Sequence, residues 1–130
     1  MYNKTFLGTQ LGSETDELLL AKIHDLLYHL GITAKYTGFF YTSHGLHLTV
    51  RQPERLLLIT KWLYPDIARH FHTDWRNVER GIRTCAGLAW ALRSEQLQQI
   101  SKEILISRPN NTQFISILTS NLRSQISGTA

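Results

Sequence analysis

The chain has 130 residues, 42% hydrophobic and 18% charged, enough for one domain with a genuine core. No run of about twenty apolar residues could cross a bilayer, Met1 to Gly8 hold no signal-peptide apolar stretch, and a single cysteine, Cys85, excludes an internal disulfide. These features point to a soluble, cytoplasmic protein in a reducing compartment. The net charge of +4 is uneven: residues 1–50 sum to −1, residues 51–93 to +4 and the remainder to +1. Basic character is thus concentrated in the middle third, as expected where a polyanion docks.

Residues 1–12 lack periodicity and read as a loose leader, with one domain over residues 13–127. Ser13 is a good N-cap, with Glu14, Asp16 and Glu17 in the first turn and Asp16 completing an S-x-x-D pattern. Leu19, Ile23, Leu26 and Leu30 recur at helical spacing until Gly31 stops the run. Residues 38–50 are ambiguous: Leu46, Leu48 and Val50 alternate with His47 and Thr49 like a strand, and Gly45 weakens a helix. Pro53 suits the first turn of a helix whose apolar content is Leu56 to Leu63. Pro65 interrupts it after Tyr64 and opens a short helix ending near Phe71, with Asp66 in its first turn.

His72-Thr73-Asp74 is a tight polar connection with two capping candidates, and a helical pattern then runs to about Leu92. Another helix is predicted around Ser94–Lys102. A polar loop over residues 107–111 leads to a Thr112-capped helix carrying Phe114, Ile117, Leu118 and Leu122. Residues 127–130 should fray. There is no internal repeat, low-complexity tract or linker.

Short helix, turn and longer helix over about residues 65–92 form the outline of a helix-turn-helix, whose second helix enters the major groove. Val78, Ile82, Cys85 and Ala89 make one apolar stripe, and Arg76, Arg80, Arg83 and Gly87 fall on the opposite side, flanked by Asn77 and Glu79. A guanidinium can bond O6 and N7 of guanine bidentately. Glu79 can accept from a cytosine amino group, and Asn77 can pair with adenine or phosphate. Arg76, Asn77, Glu79, Arg80 and Arg83 are therefore the base-reading candidates. Lys61, Arg69 and His72 are the phosphate candidates, with Thr73 as a hydroxyl donor.

The run Ile59-Thr60-Lys61-Trp62-Leu63-Tyr64-Pro65-Asp66-Ile67-Ala68, followed by Val78-Glu79-Arg80-x-Ile82-Arg83 and Ala89-Trp90, resembles the C-terminal effector domain of the sporulation initiation response regulator of endospore-forming Firmicutes. The similarity extends from about Leu30, through Gly31 and Gly38, to Pro109-x-x-x-x-Phe114-Ile115. It implies an all-α fold of about six helices around the helix-turn-helix, with residues 38–50 helical. It also implies transcriptional regulation through a short DNA box, often bound as tandem copies by neighbouring domains. The family's base-reading Glu and Arg match Glu79 and Arg80, and its following Arg matches Arg83. Three departures stand out: Arg76 replaces a small residue, often Ser; the recognition helix contains Gly81 and Gly87; and the Trp90–Pro109 connection is a few residues short.

The expected partner is double-stranded DNA in a nucleoid-associated setting, with self-association on tandem boxes and RNA polymerase or the full-length regulator as further partners. The family's full-length regulators carry a phosphorylatable receiver, for which the leader before Ser13 is too short, so control by aspartyl phosphorylation is not expected. The helix over Phe114–Ile126 is one candidate for contacts between neighbouring copies. The competing reading is an interaction protein that associates with or antagonises the full-length regulator. That role would leave Arg80 and Arg83 dispensable.

His44 and His47, and His70 and His72, lack the further ligand spacing of a zinc site. Cys85 reads as a core residue, Trp62 and Trp90 as core packing, and Trp75 as the one tryptophan near DNA. No phosphate-binding loop, nucleophile elbow or paired carboxylates indicate an enzyme or a cofactor site.

Overall fold

The computed structural model describes residues 4–127, with side chains from Thr15 onward. The described residues contain helices and no strand. Helix α1 spans Lys4–His29, α2 Thr37–Arg51, α3 Tyr64–His70, α4 Trp75–Ile100 and α5 Asn111–Ile126. A 3₁₀ stretch (Pro53–Leu58) and a π-helical turn (Ile59–Leu63) join α2 to α3. Five helices stand where about six were expected, because α4 holds two of them. Its backbone leaves helical geometry at Arg93 (φ −141°, ψ 42°), which divides the helix beginning at Trp75 from the predicted segment beginning at Ser94.

Helix α1 is continuous through Ser13, so it begins nine residues before the expected start. A serine costs only about 0.5 kcal/mol inside a helix, so a local capping signal cannot stop one whose backbone continues on both sides. At the other end the sequence signal holds. Gly31 (φ +82°) donates to Tyr28 O at 3.0 Å, and Ile32 donates to Leu27 O at 2.9 Å. That paired pattern satisfies the last carbonyls and turns the chain out of the helix. Of the expected fraying end, residues 128–130 lie outside the described residues.

The ambiguous segment is helical, as the family resemblance implies. Leu46 and Val50, one turn apart, are 0% and 2% exposed with the buried Phe39 on the same face, while Tyr41 and Gly45 are buried further round the helix. Helix α2 is the central element, enclosed on several sides, so it lacks the polar stripe that makes a helical period legible. Its Thr49 hydroxyl meets the Thr119 hydroxyl of α5 at 2.7 Å in the interior. Arg123 of α5 donates to Val50 O at 2.5 Å.

Two further expectations are revised. Trp62 is half exposed rather than in the core. The wider π turn places Ile59 and Leu63 inward and turns Trp62 out. That turn also accommodates Pro65, whose missing N–H would leave an ordinary helical ladder incomplete. The cap of α5 is Asn110, not Thr112: its side chain accepts from Gln113 N at 2.8 Å, and Gln113 Oε1 accepts from Asn110 N at 3.0 Å. Phe114, Ile115, Leu118 and Leu122 of α5 are fully buried, so its main apolar face is already used within the domain.

Helices α2 and α4 cross where both backbones are bare. A Cβ on Gly38 would lie 2.2 Å from Gly81 O, and one on Gly81 would lie 2.8 Å from Tyr41 Cδ2. The first conflict is with backbone, the second with a ring. Gly38→Ala is expected to lower stability by about 3 kcal/mol or more, and Gly81→Ala by about 1–2 kcal/mol, with part of the latter offset by helix propensity. Urea unfolding of both variants checks the order; a milder effect at Gly38 would contradict the close crossing.

Beside this crossing, His44 of α2 stacks on His70 of α3 at 3.9 Å between ring centroids, with His47 at 6.4 Å and Phe71 edge-on at 5.8 Å. Burial, then the neighbouring His70 and His47 and the Arg55 charge, push the His44 pKa down to about 4, against the opposing pull of Asp66. Burial also lowers His47. A folded-state pKa below the unfolded value means that unfolding takes up protons. The stability from neutral His44 is complete above about pH 6.5 and is lost as pH falls from there towards 4. Urea midpoints should fall across that window, and His44→Gln should flatten the decline. An equally steep decline in the variant would place the acid sensitivity elsewhere.

Candidate nucleic-acid interface

Helix α3 ends at His70, and α4 begins at Trp75 after a connection in which His72 adopts φ +55°. This left-handed position usually takes glycine, and holding another residue there costs about 1 kcal/mol. The turn is tied down by Thr73 N donating to Ala68 O at 2.9 Å and Phe71 N donating to Ile67 O at 3.2 Å. Asp74 caps α4 by accepting from Asn77 N at 3.0 Å. The geometry is that of a helix-turn-helix.

Val78, Ile82, Cys85 and Ala89 are each 0% exposed, which fixes the rotation of α4. Cys85 is a core residue, and burial raises its thiol pKa to about 11. On the opposite side Arg76, Asn77, Arg80 and Arg83 are exposed. Arg80 Nη1 donates to Asn77 Oδ1 at 3.4 Å, and Asn77 Nδ2 donates to Thr73 Oγ1 at 2.9 Å. Arg83 forms a two-pronged pair with the half-buried Glu79, and this carboxylate holds the guanidinium pKa above its usual value. Arg76 lies over the Trp75 ring, 5.1 Å from its centroid. The five base-reading candidates thus divide into a linked pair (Asn77, Arg80) tied back to Thr73, an ion pair (Glu79, Arg83) and Arg76 on its aromatic rest.

The backbone candidates surround this face. Lys61 is exposed on the π turn beside Trp62. Arg69 pairs with Asp66 while staying 71% exposed, and Arg55 takes the other oxygen of the same carboxylate. The hydrogen bond from Arg69, with that from Arg55, holds the Asp66 pKa below its usual value despite some burial. His72 is exposed at the turn, and Thr73 is half-buried with its hydroxyl accepting from Asn77.

Sequence reasoning missed one wall of a cleft beside this face. Tyr36, just before α2, and Thr37 and Tyr41 of its first turns line a cleft of about 340 Å³ with Asn77, Arg80, Gly81 and Thr84. Thr84 lies one turn beyond Arg80, so the helical wheel contained that signal. Tyr36 and Thr37 are placed by the glycine crossing, and no local pattern indicates them. His44, His47 and His70 are grouped by stacking, and among the described residues no three His, Cys, Asp or Glu side chains form a metal-sized cluster. No helix among the described residues is long and apolar enough to cross a membrane.

The family model for "Sporulation initiation factor Spo0A C terminal" matches residues 23–122. The match runs from within α1 to within α5 and contains the whole helix-turn-helix. This is a family of DNA-binding transcription-regulator domains and not an enzyme family. With most of its length matched, the chain belongs to the Spo0A C-terminal family of sporulation initiation factors.

Proposed function

We propose that this domain binds double-stranded DNA sequence-specifically, with the first half of α4 in the major groove, and thereby regulates sporulation-related transcription inside the cell. The observation that carries this reading is the exposure of Arg76, Arg80 and Arg83 on one side of a helix whose other side is fully buried. Charged helical faces are common, but this one follows a helix-turn-helix connection in a family of DNA-binding domains.

Arg80 is the principal reader. Its guanidinium is steadied through Asn77 rather than neutralised by a carboxylate, leaving its charge for guanine O6 and N7. Glu79 and Arg83 act as a joined acceptor and donor, suited to a cytosine amino group and a neighbouring guanine. Lys61, Arg69 and His72 take phosphates, and Thr73 offers its hydroxyl hydrogen. Tandem DNA boxes would bring copies of the domain together on the duplex.

Binding-site selection on random duplex, followed by titration, tests this directly. Log affinity should fall linearly with log salt. Arg80→Ala should cost about 1–3 kcal/mol on the selected sequence and little on a scrambled one, whereas Lys61→Ala should weaken both alike. Equal losses for Arg80→Ala on the two duplexes would remove its base-reading role, and no binding to any duplex at low salt would reject the function.

Arg76 separates this chain from the small residue usual in the family. Comparison of sites selected by the natural protein and by Arg76→Ser should show different preferences next to the Arg80 contact. Identical preferences would place Arg76 on the backbone or in solvent.

A further inference from the structure

The side of α4 bearing Arg76, Arg80 and Arg83 continues to the half-buried Gly87, where the helix has no side chain. A second segment fills that gap. Arg108, from the connection between α4 and α5, lies across Gly87: a Cβ there would be 3.2 Å from Arg108 Nη1 and 3.9 Å from its Cδ. The guanidinium therefore extends the row of Arg76, Arg80 and Arg83 from outside the helix.

The seat is anchored on both sides. Pro109 is buried immediately after Arg108, and Asn110 is locked in the capping box of α5. Asn111 Nδ2 donates to Glu79 O of α4 and to Tyr64 Oη of α3, each at 3.0 Å. These bonds fasten the connection to both helices of the helix-turn-helix. Arg108 also shares a cleft of about 330 Å³ with Glu79, Arg83, Thr60 and Thr112. Glu79 is engaged by Arg83, and among the described residues Arg108 forms no ion pair. An exposed, uncompensated guanidinium on a fixed seat at the far end of a groove-reading face is suited to a phosphodiester.

We propose that Arg108 is a DNA-backbone contact, delivered onto the recognition face through the space left by Gly87. It binds a phosphate on the strand bordering the major groove and sets how far α4 lies along it. The proposal rests on the DNA-binding reading above. It also gives Gly87 a purpose: a side chain there would compete with Arg108 for the same position.

The test is salt-dependent titration of the selected and scrambled duplexes with the natural protein, Arg108→Ala, Arg108→Lys and Lys102→Ala. Lys102 belongs to the same connection but lines a groove with Ser116 and Ser120 of α5. Arg108→Ala should weaken both duplexes equally and make the log–log salt slope shallower by about 0.9, the equivalent of one phosphate. Arg108→Lys should keep the natural slope, and Lys102→Ala should not change it. An Arg108→Ala slope equal to that of the natural protein, with Arg80→Ala still abolishing discrimination, would overturn the proposal and leave the DNA-binding reading intact. A loss confined to the selected duplex would overturn it in favour of base contact. Failure of the natural protein to bind either duplex would overturn both.

Discussion

The arrangement of this domain depends on the contact between α2 and α4 at Gly38 and Gly81. With no Cβ on either residue, the helices approach until backbone meets backbone, and the Tyr41 ring closes over Gly81. Neighbouring side chains then complete the packing: Phe39 and Leu46 from α2 and Val78, Ile82 and Cys85 from α4 all fall within the core. Glycine inside a helix loses about 1 kcal/mol relative to alanine, and close packing along the crossing offsets that loss. The functional consequence is rotational. Once the Val78–Ala89 stripe is buried against α2, the side of α4 bearing Arg76, Arg80 and Arg83 has only solvent or a ligand to face.

Polar bonds finish what the apolar contacts begin. Asp74 satisfies the start of α4, the Asn110–Gln113 box satisfies the start of α5, and Asn111 bridges α5 to α3 and α4. The Thr49–Thr119 pair and the Arg123–Val50 bond join α5 to α2. The exposed caps contribute about 1 kcal/mol each, the buried and half-buried bonds a similar amount, and leaving one of the buried groups unpaired costs more than that. Their larger effect is positional. They hold the helix-turn-helix and the segment bearing Arg108 in one frame, so the recognition face is assembled before any DNA arrives. A preformed face loses less side-chain and loop freedom on binding.

The charges on that face are organised to different degrees. Glu79 orients Arg83, Asn77 steadies Arg80, Trp75 supports Arg76, and Gly87 makes room for Arg108. Exposed ion pairs add little to stability, so the Glu79–Arg83 pair matters mainly for direction. In the proposed reading it would also join two recognition elements, so that a base drawing on one must be compatible with the other. Arg80, like Arg76 and Arg108, has no such carboxylate among the described residues, which leaves its charge uncompensated.

The sequence by itself determined the helix-turn-helix and the rotation of its second helix. Val78, Ile82, Cys85 and Ala89 repeat at a helical period, and a helix with one apolar stripe has one stable way to face a core. Gly31 marked the end of α1 because its left-handed position is open to few other residues. Local pattern failed where several surfaces meet. Residues 38–50 are enclosed on many sides and carry no amphipathic period, so only the family resemblance indicated a helix. Trp62 was misplaced because a π turn shifts the helical register, and Ser13 because a capping signal cannot tell that the backbone before it is already helical. Tertiary structure alone decided which distant segments flank the recognition helix. Tyr36 and Thr37 arrive through the glycine crossing, and Arg108 through the tethered start of α5. Their positions depend on contacts between elements distant in sequence, which no periodicity along one segment can encode.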